Sequence, residues 1–166
     1  MPYKLKLPTV DQLADLIVQN GPGSHVYVLD ISRAYRNLRL DPLSWPLMGI
    51  EWNNALYCDI SVPFGLRTGA YFCQRTTSAV AFIMNTHGYK VLPYIDDFAG
   101  VASKSSSDKA FDTLTWILLE LGLPIAENKI QRPSVCATWL GITFDTQTME
   151  MRIPLAKVEE TIQLLR

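Results

Sequence analysis

Lys90-Val91-Leu92-Pro93-Tyr94-Ile95-Asp96-Asp97-Phe98-Ala99-Gly100-Val101-Ala102 sets two adjacent carboxylates inside an otherwise apolar run. The apolar flanks predict two buried strands joined by a tight turn. Asp96 and Asp97 then stand at the tip of a hairpin. Burying an unpaired carboxylate costs on the order of several kcal/mol or forces it to take a proton, so such a tip calls for cations. An acidic, solvated turn fits the same residues, because Asp is a common turn residue. The rest of the chain has to decide between the two.

With 166 residues the chain suits one domain with a sizeable core. Hydrophobic residues make up 48% and charged residues 19%, a globular composition that excludes disorder. Cys58, Cys73 and Cys136 show no paired metal-ligand spacing, and His25 and His87 are far apart, which argues against a zinc site. The odd cysteine count and the lack of a secretory signal predict reduced thiols in an intracellular compartment, cytoplasmic or nuclear. No apolar run approaches a membrane span, so no membrane partner is expected. Net charge is −1, whereas a free-standing nucleic-acid binder is usually basic. Any basic surface must be local, or lie on a part outside this chain.

Taken in order, Thr9 stands three before Gln12, a capping-box spacing, and Val10, Leu13, Leu16 and Ile17 predict a helix over about 10–19. Val26–Leu29 is β-prone and ends on Asp30, followed by a short helical turn. Two apolar runs flank Asn53-Asn54, a pair that tolerates the left-handed turn of a hairpin. Val62–Ala70 is a glycine-containing loop opening a helix over about 69–86, with Thr68 as its expected N-cap. That helix is apolar around most of its circumference and is expected deep in the core. Ser105–Asp108 caps a further helix that Gly122 ends, and Asn128–Pro133 is a polar, basic stretch. Trp139–Phe144 and Met149–Ile153 predict a second hairpin, and Pro154 takes the first position of a last amphipathic helix.

This order predicts a ferredoxin-like split β-α-β arrangement, an α+β domain with an antiparallel sheet and helices on one face. The other face is expected to be free to carry a site. In such a sheet the strand ending at Asp30 neighbours the hairpin carrying Asp96 and Asp97. Three carboxylates would converge, and magnesium, a hard cation that takes oxygen ligands, would relieve their repulsion.

Leu29-Asp30-Ile31-Ser32-Arg33-Ala34-Tyr35, Val62-Pro63-Phe64-Gly65-Leu66-Arg67-Thr68-Gly69-Ala70-Tyr71-Phe72-Cys73-Gln74-Arg75 and Tyr94-Ile95-Asp96-Asp97 resemble the successive palm motifs A, B and C of reverse transcriptases. Each motif alone is of modest specificity; three in this order are highly specific. Gly122–Lys129 and Trp139-Leu140-Gly141 are similar to the following motifs D and E. The Pro-Phe-Gly-Leu form resembles retrotransposon enzymes, and the whole is most similar to the DIRS-like group.

The resemblance implies an RNA-directed DNA polymerase palm that transfers a nucleotide from a dNTP to a primer 3′-hydroxyl on an RNA or DNA template. It implies two Mg2+ ions, for which Mn2+ can substitute, held by Asp30, Asp96 and Asp97 with the Ile31 carbonyl as a further ligand. Tyr35 would gate the incoming sugar, with Phe64, Gly65 and Arg67 lining the nucleotide pocket and Ile95 packing on the nascent pair. Gln74 would hold the template or the loop, or be a polar residue on a helix surface. Lys129 would donate a proton to pyrophosphate, or be an exposed lysine. Leu140 and Gly141 would form the primer grip. By the same resemblance, residues 1–153 are the palm with its fingers largely missing, and 154–166 begin a truncated thumb. Fingers and thumb segments of the same polyprotein would then be partners. A palm-derived module that binds nucleic acid or protein without catalysis is the alternative. The motif order and the Pro-Phe-Gly loop argue against a nucleotidyl cyclase.

Overall fold

The structure is a computed structural model describing residues 4–165. Residues 1–3 and 166 of the two expected ranges lie outside the described residues.

The first helix, α1 (Val10–Asn20), carries the expected reciprocal cap between Thr9 and Gln12 and buries Leu13, Leu16 and Ile17. Strand β1 (His25–Asp30) follows, then two short 3-10 turns, Ala34–Asn37 and Pro42–Met48. Strands β2 (Gly49–Trp52) and β3 (Ala55–Cys58) form the first hairpin. Asn53 and Asn54 turn it at φ 51° and 59°, the left-handed pair that matches strand twist. Helix α2 (Gly69–Thr86), the β4–β5 hairpin (Val91–Tyr94 and Asp97–Ala102) and α3 (Ser107–Glu120) come next. Strands β6 (Gln131–Ser134), β7 (Cys136–Trp139), β8 (Ile142–Asp145) and β9 (Glu150–Arg152) lead to α4 (Leu155–Leu164).

The main sheet has the order β4-β5-β1-β6 with antiparallel pairings throughout. Together with α2 and α3 it makes the split β-α-β unit. Tyr27, Leu29 and Phe98 of the sheet pack with Val80 and Met84 of α2 and with Phe111, Leu114 and Leu118 of α3. Burying each large apolar side chain contributes roughly 1.5–3 kcal/mol, so this layer fixes the sheet on its helices. Gly100 faces Tyr27 across β1–β5, and a Cβ there would collide with the Tyr27 ring. Only glycine lets the ring lie flat over the neighbouring strand.

Several expectations need correction. The second sheet face is not open: Leu13, Leu16 and Ile17 of α1 and Ala137, Trp139 and Phe144 of β7–β8 cover it over Val26, Val28, Ala99 and Val101. A site must therefore sit at the strand ends. Helix α2 buries one face only, with Phe72 and Phe82 exposed, because the sheet covers just one side of it. Thr68 makes no side-chain cap; its backbone is already helical, which turns the hydroxyl away from the amides it would accept from. The basic stretch hides β6, an edge strand on β1, where Pro133 is tolerated because an edge leaves one side of the ladder unpaired. The expected strand 139–144 is broken by Leu140 and Gly141 at φ 48° and 77°, so three strands stand where two were expected. Pro154 lies one residue before α4 and caps it, and none of the helix's described residues is buried.

Candidate active site

Backbone pairing places the carboxylates. Along β1–β5 the register ends with Asp30 opposite Asp97, and along β4–β5 Asp97 also faces Tyr94. Like charges directly opposite destabilise a ladder. Asp96 sits in the tip, and its carbonyl accepts from the Ile31 N–H at 2.9 Å, which ties the tip to the residue after Asp30. Carboxylate oxygens of Asp30, Asp96 and Asp97 all lie within 4.8 Å of one another. Asp30 is only 4% exposed; the other two are partly exposed.

The tip is strained. Ile95 adopts φ 53°, a conformation that costs a β-branched residue on the order of 1–3 kcal/mol. Gln74 of α2 holds it there. Its Oε1 accepts from the Ile95 N–H at 2.7 Å, and its Nε2 donates to the Pro93 carbonyl at 2.8 Å. The Cys73 thiol donates to the Ile95 carbonyl at 3.4 Å. Gln74 is buried, so of its two sequence readings the loop-holding one fits and the surface one does not. The Ile95 side chain packs against the core between the main sheet and helices α2 and α3.

Charge in the cluster is incompletely balanced. Burial first, then the hydrogen bond and negative charge of Asp30, push the Asp97 carboxyl from 3.8 up to about 7. Burial and the Asp30 charge also raise Asp96. The nearby cation is Lys129, whose Nζ donates to Asp30 Oδ2 at 2.8 Å; that hydrogen bond and the charge of Asp30 raise its own pKa. Lys129 is exposed, as one reading expected, but it is not solitary. The Cys73 thiol is pushed up to about 11 by burial and by Asp96.

Tyr35 lies close enough for Asp96 to add to the effect of burial and raise its phenol. Its ring packs on Phe64, centroid to centroid 5.3 Å, and Phe64 is otherwise exposed. Gly65, at φ 85°, has open space where a side chain would stand, and Arg67 is exposed on the same loop. Ile31 is buried and bridges to Ile125.

From Asp30 and Asp97 a cleft of about 410 Å3 runs past Asn128, Lys129 and Gln131 to Thr138 and Trp139. Leu140 and Gly141 form the turn directly beyond Trp139. Gln131 joins the two sheets: its Nε2 donates to the Thr138 carbonyl at 2.7 Å and its Oε1 accepts from the Thr138 N–H at 2.8 Å. Sequence reasoning passed over Asn128, Gln131 and Thr138. The one available signal was a glutamine two residues after Lys129 in a polar stretch.

The sequence model of a family described as reverse transcriptase (RNA-dependent DNA polymerase) matches residues 3–144. Among solved structures, a foamy viral protease-reverse transcriptase dRH in complex with double-stranded DNA is similar at TM-score 0.77 and 16% identity, over 96% of this chain and 26% of that chain. The foamy viral protease-reverse transcriptase with double-stranded DNA gives TM-score 0.75 and 15% identity, over 96% and 32%. With an RNA/DNA hybrid it gives 0.74 and 17%, over 98% and 21%. The chain thus spans between a fifth and a third of these proteins, and likeness at such identity speaks for the fold. No curated protein matches in sequence. With the family match over most of its length and the motif carboxylates gathered at one sheet end, this chain belongs to the reverse transcriptase (RNA-dependent DNA polymerase) family.

Proposed function

We propose that the chain is the palm of an RNA-directed DNA polymerase, adding a dNTP to a primer 3′-hydroxyl on an RNA or DNA template. The observation that carries this reading is the cluster of Asp30, Asp96 and Asp97 at the strand ends. Its donors are all carboxylate oxygens, a set suited to Mg2+, with Mn2+ able to replace it. The raised carboxyls of Asp96 and Asp97 mark negative charge that a divalent cation would relieve. Asp30 and Asp96 would hold it, with Asp97 as the third carboxylate and the Ile31 carbonyl as a further ligand. When bound, a pair of such ions stabilises the attacking and leaving oxygens of an in-line phosphoryl displacement.

The chain's own residues do the rest. Gln74 fixes the tip so that Asp96 presents its carboxylate in one place. Tyr35, seated on Phe64, meets the sugar of the incoming nucleotide. The open space at Gly65 admits the nucleotide or template backbone, and Arg67 offers it positive charge. Lys129 holds a proton within reach of the cluster, where a pyrophosphate oxygen would leave. The Leu140–Gly141 turn, joined to β6 through Gln131, would support the primer end. Residues up to 153 form the palm in this reading, and α4 begins the thumb, with fingers and thumb segments as partners. That the similar foamy viral structures hold double-stranded DNA or an RNA/DNA hybrid supports a template–primer duplex as the substrate.

Primer extension by the intact gene product on an RNA template with magnesium tests the reading. Asp96→Asn is expected to cut extension about a thousandfold or more, the scale of losing a group that stabilises transition-state charge. Equal extension by both forms would sink the mechanism. The second reading, a binding module without catalysis, is favoured by one observation: the Lys129 ammonium already neutralises part of the cluster. A magnesium titration of the chain separates the two, since a pure binding module gains no stability from the ion.

A further inference from the structure

The main sheet ends at β6, and β7 opens the second sheet, of order β7-β8-β9. Val135 alone separates the two strands in sequence, yet the ladder of one sheet does not run on into the other. The chain reverses there, so that Gln131 and Thr138 meet on the two sides of the turn. Two ties then join the sheets, one at each end of β1. Beyond the start of β1, buried Thr146 donates from its hydroxyl to the Ser24 carbonyl at 2.6 Å, and its carbonyl accepts from the Gly23 N–H at 2.9 Å. Toward the carboxylate end, the tie is the Gln131 amide, bonded to both the N–H and the carbonyl of Thr138. Gln131 stands opposite Val28, two residues before Asp30 on β1. Thr138 stands two residues before the Leu140–Gly141 turn. Gln131 and Thr138 line one cleft with Asp30 and Asp97.

We infer that Gln131 is a positioning residue: its amide sets how far the Leu140–Gly141 turn stands from the Asp30 end of β1, and with it where a primer terminus lies relative to the carboxylate cluster. The inference rests on the polymerase reading and adds a residue to its reaction. Gln131 acts through the turn, because both of its amide bonds go to the Thr138 backbone. A ladder bond would draw two backbones to about 4.8 Å. A glutamine side chain used as the rung holds them at its own longer reach, and two bonds on one planar amide fix that reach in direction as well as length. The distance between cluster and turn is thus the length of one side chain. Holding the sheets together does not require this rung, since Thr146 already ties them beyond the other end of β1. What the Gln131 rung adds is placement on the cleft side.

The test compares Gln131→Met with Thr146→Val in the intact gene product. Each keeps the side-chain volume and removes the side-chain bonds of one tie, so a urea melt should register both. Primer extension separates them. Gln131→Met is expected to lower kcat about a hundredfold, the scale of a misplacement of about 1 Å. The KM for dNTP should stay within about twofold, because Tyr35, Phe64, Gly65 and Arg67 are untouched. Gln131→Glu keeps the bond from the Thr138 N–H and loses the other, so about a tenfold loss is expected, and it serves if Gln131→Met does not fold. Thr146→Val should extend within about twofold of the native protein. A second readout needs no metal and no turnover: the emission of an aminopurine at the primer 3′ end of a bound duplex. It should change in Gln131→Met and match the native protein in Thr146→Val. Equal kcat losses in the two variants at equal stability loss would make Gln131 a structural tie only and overturn the inference. Native kcat in Gln131→Met, or unchanged emission, also overturns it. A native protein that binds the duplex and does not extend it fails the polymerase reading, and the emission comparison then still decides this one.

Discussion

Asp30 and Asp97 are the last register pair of β1 and β5, two carboxylates set opposite one another where the main sheet ends. A ladder gains nothing from that pairing, so the fold carries it at a cost that a bound cation would reverse. The cost should be visible as pH dependence. Asp97 has its carboxyl raised from 3.8 to about 7 in the folded chain. Folding therefore favours its neutral form. Stability from this group is complete below about pH 4 and is lost as pH rises through about 7. In a dry site a rise of that size is worth about 4 kcal/mol; Asp97 is partly exposed, and solvent screening brings the expected loss to about 1–2 kcal/mol. Thermal melts from pH 4 to 8 without metal should show the decline, and Asp97→Asn should flatten it. Millimolar magnesium should restore stability at pH 8 and do little at pH 4. A metal-free profile indistinguishable from that of Asp97→Asn would contradict the assignment.

Gln74 is the side chain on which the tip's geometry depends. Gln74→Leu keeps the volume but leaves the Ile95 N–H and the Pro93 carbonyl without this partner, and Ile95 loses a restraint on its left-handed backbone. The expected cost is about 2–3 kcal/mol in urea unfolding. Gln74→Glu accepts from Ile95 but cannot donate to Pro93, and it brings a charge beside the acidic cluster. It should therefore weaken magnesium-dependent stabilisation less than Gln74→Leu, while shifting the pH profile upward. Activity in the intact gene product should fall in kcat more than in KM for both, because the two hydrogen bonds of this glutamine go to the backbone of the tip. If Gln74→Leu unfolds like the native chain, the two hydrogen bonds contribute nothing to stability.

Much of this architecture was legible in the sequence, and what was hidden had specific physical causes. The carboxylates could be placed because a strand ending on Asp30 and a hairpin tipped by Asp96 and Asp97 have few ways to meet in a split β-α-β sheet. Asn53-Asn54 announced its own turn. Strand β6 was masked because an edge strand on a covered sheet needs no apolar alternation, and Gln131-Arg132-Pro133-Ser134 shows none. The break at Leu140–Gly141 was masked because a leucine in the left-handed region is rare, so the apolar run read as continuous. The roles of Gln74 and Gln131 lay beyond pattern reading altogether. Each uses one side-chain amide to imitate a strand neighbour, a contact that depends on tertiary placement and leaves no periodicity.

Gly69 offers a test of how tightly Tyr35 is seated. It opens α2, and a Cβ there would stand 3.1 Å from Tyr35 Cε1 and 3.1 Å from Val62 Cγ1. Both distances are tighter than ordinary van der Waals contact. Val62 is 3% exposed and its N–H is held by the Leu38 carbonyl at 2.9 Å, so it has little room to give. Tyr35 is half-buried against exposed Phe64, so its ring must shift instead. Alanine is otherwise the better helix former by about 1 kcal/mol. In the native background Gly69→Ala is therefore expected to lose about 1 kcal/mol, the strain outweighing the propensity gain. In a Tyr35→Ala background the same change should cost clearly less or stabilise. A coupling of about 1 kcal/mol in that double-mutant cycle, read by urea unfolding of the chain, establishes the contact. In the intact gene product the shifted ring should alter the ratio of deoxy- to ribonucleotide incorporation several-fold, and Tyr35→Ala should abolish that sensitivity to residue 69. Additive stabilities in the cycle would show that the ring and the helix start are independent. An unchanged ratio with the coupling present would show that Tyr35 does not read the sugar.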